Sequence, residues 1–120
     1  MDAVQWFHQN WFYAAVLTTG LVGVWGIGLA VLKKTPNRAF GAATVIAVGV
    51  MLIQVVSGVV LYASGRRPGD SFHVFYGVVI AITFAIAYVY RAQLEKRPAL
   101  SYGLLLLFVM GLGIRAWMNT

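Results

Sequence analysis

The chain has no cysteine, and only three of its 120 residues are carboxylates: Asp2, Asp70 and Glu95. Without cysteine there are no disulfides, no thiolate metal sites, no iron–sulfur clusters and no thiol redox chemistry. None of the three carboxylates falls in an apolar run, so no Asp or Glu is available there for general acid–base work. Asp70 lies three residues before His73, at a helix start, where it reads first as a cap. No glycine-rich phosphate loop or dinucleotide fingerprint is present, which removes the usual kinase and nucleotide-binding readings.

Charge of either sign is scarce. Charged residues make up 10% of the chain, against about 25% in an ordinary soluble domain. So few cannot coat a water-facing surface, and the 61% hydrophobic content is the opposite of a disordered composition. The class expected is all-α, a small integral membrane protein. The net charge of +6 is not a nucleic-acid footprint, because the basic residues sit in short loops between apolar runs and read as topology signals. The opening MDAVQWFHQN carries no basic n-region and does not read as a signal peptide.

A helix needs roughly 20 residues to cross the hydrocarbon layer, and four runs meet that requirement. They are expected at about 11–32, with apolar character reaching back to Trp6, then 39–64, 72–90 and 99–117, within one transmembrane domain. Short connections predict an up-down-up-down four-helix bundle. The first and third loops hold Lys33, Lys34, Arg38, Arg91, Lys96 and Arg97, and the opposite side holds Arg66, Arg67 and Arg115. The richer side is expected in the cytoplasm, with both termini outside, in the cytoplasmic membrane of a bacterium. Trp6, Trp11, Tyr62 and Trp117 then belong to an outer aromatic belt. The dispersed glycines suit close helix packing in lipid.

Polar residues inside a span are costly and call for partners. The candidates are His8, Gln54, Ser57, His73, Arg115 and several tyrosines. On the expected topology both histidines fall on the outer side. His8, Ala15, Thr19 and Gly26 share one helix face, a histidine followed by small side chains on which a flat macrocycle fits. Gly77 lies one turn beyond His73 on the same face and leaves room for a ring. Span two brings Gln54, Ser57, Gly58 and Tyr62 to the same half. These features point to one b-type haem with His8 and His73 as metal ligands. Arg66, Arg67 or Arg115 are candidates to pair with its propionates. The second nitrogen of each imidazole needs an acceptor, which the sequence does not identify. The plainer alternative is two wet histidines at headgroup level, with the three arginines as interface anchors.

The stretch Gln54-Val-Val-Ser-Gly58-Val-Val-Leu-Tyr62, a short loop and His73-Val-Phe-Tyr-Gly77 resembles a helix pair of haem A synthases, where a Gln-containing helix precedes one that opens with a haem-ligand histidine. Trp6-Phe7-His8-Gln9 with Ala14-Ala15 loosely resembles that family's other ligand helix, and membrane cytochromes of the b561 type use similar bundles. The resemblance covers spans one to three. It implies a single haem-binding bundle with His8 and His73 as ligands. It does not imply haem A synthesis, since the family is longer, has two bundles and carries an acidic residue near its first histidine, where this chain has Gln5.

Two functions of different class follow. One is a cytochrome for electron transfer or haem handling, with a quinone or periplasmic redox partner. The other is a cofactor-free accessory or assembly subunit of a larger respiratory or other membrane complex. A transporter ranks below both, because the spans carry almost no ionisable groups at mid-depth and no broken helix is evident.

Overall fold

The computed structural model describes residues 2–65 and 71–119. They form α1 (Asp2–Val31), α2 (Arg38–Ala63), α3 (Ser71–Val89), the single turn α4 (Arg91–Leu94) and α5 (Pro98–Met118). Four of these are long and apolar enough to cross a membrane. The first begins well before Trp11, so His8 lies inside a helix and not on the segment leading to it. The third connection, expected as a loop, contains α4.

Local chemistry sets the ends. α1 closes with Lys33 at φ 56° while Lys34 N–H donates to the Leu29 carbonyl at 2.9 Å. This is a Schellman-type stop with lysine in the left-handed position usually taken by glycine. Asn37 caps α2, its side-chain oxygen accepting from Phe40 N–H at 3.1 Å, and Pro98 opens α5, where its missing N–H costs nothing. Thr19, Thr44 and Thr83 return their hydroxyls to the carbonyls of Ala15, Phe40 and Val79. Most threonine polarity in the spans is thus satisfied within its own helix.

α1 is the centre of the packing and lies between α2 and α5; α3 packs mainly on α5 and touches α2 much less. The α1/α5 contact is backbone on backbone. A Cβ on Gly26 would fall 2.7 Å from the Ala99 carbonyl oxygen and 2.9 Å from the Gly103 Cα, and one on Gly103 would fall 3.0 Å from the Gly23 oxygen. Only glycine permits this approach. Two clusters fill the interior: Ala15, Met51, Ile80, Phe84 and Val109, then Val22, Phe40, Ala47 and Leu106. The outer surface exposes Leu17, Leu21, Val45, Val56, Ile86 and Leu104. An apolar coat of that kind is compatible with a lipid bilayer and marks a surface that water does not suit.

Candidate functional site

The first turns of α1 and α3 meet the last turns of α2 and α5 around a cavity of about 750 Å³. That lies within the roughly 300–1,000 Å³ range of small-molecule and cofactor sites. Its walls include His8, Ala15, Met51, Gln54, Gly58, Tyr62, His73, Gly77, Ile80, Gly113, Ala116 and Trp117. A stacked pair, Phe12 on Trp117 with ring centres 5.7 Å apart, stands at its α1/α5 side.

The two histidines, 65 positions apart in sequence, face one another across this chamber with ring centres 6.0 Å apart and planes at 80°. Their hydrogen bonds fix which nitrogen each offers. The Ser57 hydroxyl donates to the Gln54 carbonyl at 2.8 Å, so the hydroxyl oxygen accepts from His8 Nδ1–H at 2.7 Å. The Gln54 carbonyl is also 3.1 Å from that nitrogen. His73 Nδ1 lies 2.7 Å from the Ala116 carbonyl, which can only accept. Both rings therefore carry a proton on Nδ1, so that in the neutral tautomer the lone pair is on Nε2. No described residue bonds either Nε2.

Gln54 ties α2 to α1 from both ends: its carbonyl faces His8, and its side-chain Nε2 donates to the His8 backbone oxygen at 2.8 Å. Its Oε1 is buried and has no hydrogen-bond partner. Gly58 leaves room for the His8 ring against α2, since a Cβ there would fall 3.0 Å from His8 Cε1. Gly77, by contrast, faces open space: nothing lies within 4 Å of a Cβ added to it.

Of the residues singled out from sequence, His8, His73, Ala15, Gln54 and Gly77 line the chamber together. Thr19 is fully buried one turn deeper, its hydroxyl on the Ala15 carbonyl, and is not part of the wall. Arg115 is exposed on α5 and does not line the chamber. Arg66, Arg67 and Asp70 lie outside the described residues. The acceptors the sequence left unnamed are the Gln54 and Ala116 carbonyls and Ser57. Two of these three are backbone groups, which leave no mark in a sequence. Among the described residues no group of three or more His, Cys, Asp or Glu is assembled. Among the described residues the chamber wall therefore offers two imidazoles and no Cys, Asp or Glu.

The chain matches no protein-family model, no curated protein and no solved structure.

Proposed function

We propose that this chain is a small membrane cytochrome that binds one b-type haem near one face through His8 and His73, for electron transfer or haem handling. The observation that supports this reading is the pair of imidazoles in the chamber wall, each with its Nδ1 already hydrogen-bonded and with no described residue bonded to its Nε2. A metal–imidazole bond is about 2 Å long, and ring centres 6.0 Å apart are close enough for both imidazoles to hold one metal ion if it were bound between them. Two protein ligands suffice only where something else supplies the rest of the coordination sphere, as a porphyrin does. Each Nδ1–H is already anchored, which is how metal-binding histidines are normally oriented.

His8 and His73 would hold the group, Gly77 and Ala15 would leave it space, and the chain's own part is to orient both imidazoles and exclude water. Haem, if held there by the two histidines, would supply a one-electron couple, which favours electron exchange with a quinone or a periplasmic partner. The loop charges support an up-down-up-down arrangement with the six-residue basic side in the cytoplasm and both termini outside, as in a bacterial cytoplasmic membrane.

The experiment is an optical spectrum of the detergent-purified protein, oxidised and then reduced, with a pyridine haemochrome assay. A Soret band and a sharp reduced alpha band at one haem per chain are expected. A protein that stays colourless when haem is supplied during expression overturns the reading and leaves a cofactor-free accessory subunit.

A further inference from the structure

The chamber is not closed toward the bilayer. α2 and α3 make a much thinner contact than α1 makes with either neighbour, and the chamber wall continues outward along the seam between them. On α2, Val55 and Val59 are one turn apart; on α3, Val74, Val78 and Ile82 are successive turns of one face. All five line the chamber, yet Val59 is 61% exposed, Val78 49% and Ile82 51%. Side chains that are both cavity wall and outer surface mark an opening. Gly77 sits between Val74 and Val78 with no atom near a Cβ placed on it, so the threshold is wide where the helix passes His73.

Among the described residues the side chains flanking this opening are aliphatic apart from Tyr62, one turn beyond Val59, and none is charged. Val55, Val59, Val74, Val78 and Ile82 offer a water-borne ligand no hydrogen bond, and they lie on helices that are apolar enough to cross a membrane. We propose that the α2/α3 seam is a lateral portal through which haem already dissolved in the bilayer reaches His8 and His73. The inference rests on the haem reading of the chamber and adds the route and the source: a flat, membrane-partitioned macrocycle sliding in edge-on between Val59 and Val78. The His73 ring at the head of α3 meets it, and the His8 ring, held by Ser57, closes the far side.

The test uses the absence of native cysteine. The double variant V59C/V78C is produced without haem, placed in phosphatidylcholine liposomes and joined across the seam with a disulfide-containing bis-maleimide. Haem is delivered from donor phosphatidylcholine vesicles and uptake is followed by growth of the Soret band. Joined protein should load at least tenfold more slowly than unjoined protein. Cutting the linker with a phosphine reductant should restore the rate, which shows that the joined fold was intact. Joining after loading should leave the spectrum unchanged. If joined and unjoined proteins load equally fast, the chamber is reached by another route and the portal is wrong, while the haem reading stands. If the unmodified parent takes up no haem, the haem reading fails and the portal falls with it.

Discussion

His73, in the first turn of α3, donates its Nδ1–H to the carbonyl of Ala116 in the last turn of α5, at 2.7 Å. One bond thus joins the ends of two helices and puts a proton on Nδ1, in a ring that lines the same chamber as His8, 6.0 Å away. His73→Ala should therefore abolish low-spin haem. His8→Ala should abolish it or leave a five-coordinate, high-spin species. Optical and electron paramagnetic resonance spectra distinguish the two, and unchanged spectra in both variants would exclude these ligands.

Of the two histidines, Ser57 touches only His8. Ser57→Ala leaves His8 Nδ1–H with only the longer contact to the Gln54 carbonyl, at 3.1 Å. The imidazole becomes less basic and stabilises ferric iron less. Haem should be retained and its midpoint potential should rise by tens of millivolts, since a tenfold differential weakening corresponds to about 59 mV for one electron. Redox titration of the purified variant measures this. A potential unchanged within error would mean that Ser57 serves only the fold.

Gly58 and Gly77 separate space for a protein ring from space for a ligand. A Cβ on Gly77 has no protein atom within 4 Å, so with Gly77→Leu helicity and thermal midpoint should stay close to the parent's while haem affinity falls at least tenfold. Gly58→Leu instead pushes on the His8 ring and should disturb the axial ligand itself, with a high-spin signal where haem remains. Haem titration followed by circular dichroism reads both. Full haem affinity in Gly77→Leu would count against a ligand lying beside α3.

The four apolar runs were legible because length and hydrophobicity alone decide them, and the glycines of α1 announced a close approach. The partner of that approach, Gly103, was one of many glycines and could not be chosen from sequence. The start of α1 was read late because Gln5, His8, Gln9 and Asn10 dilute its hydrophobicity; packing against α2 and the Gln54 bond to the His8 carbonyl support the helix there. The histidine face was legible from spacing, and so was the gap at Gly77. What spacing could not give was the third dimension. Thr19 shares His8's face but lies too deep and is bonded to its own helix. Arg115 shares the right end of α5 but points outward. Ala116 was invisible because what matters is its carbonyl.

The α1/α5 contact predicts a sharp contrast among glycines. Gly26→Ala and Gly103→Ala drive a methyl into backbone of the facing helix and should each cost about 1–3 kcal/mol, the usual range for overpacking. Gly28, Gly41, Gly49 and Gly111 have nothing within 4 Å of an added Cβ, so their alanine variants should be neutral or slightly stabilising through helix propensity. Unfolding in mixed micelles by increasing SDS fraction compares all six. Equal sensitivity across the set would contradict the close crossing.

Orientation is decided by labelling, and the chain is suited to it because every cysteine introduced is the only one present. Asn37 caps α2 and Gln93 lies in α4, both at the end rich in Lys33, Lys34, Arg38, Arg91, Lys96 and Arg97. Basic residues in short loops stay on the cytoplasmic side because translocating them is unfavourable. Asn37→Cys and Gln93→Cys should therefore resist a membrane-impermeant maleimide in intact cells and label after lysis, whereas Gly69→Cys, outside the described residues, should label without lysis. The chamber lies at the end of α1 and α5 far from Asn37 and Gln93, so this pattern puts His8 and His73 near the outer face, within reach of a periplasmic or quinone partner. The inverse pattern turns the same chamber toward the cytoplasm, and the electron partner would then have to be sought there.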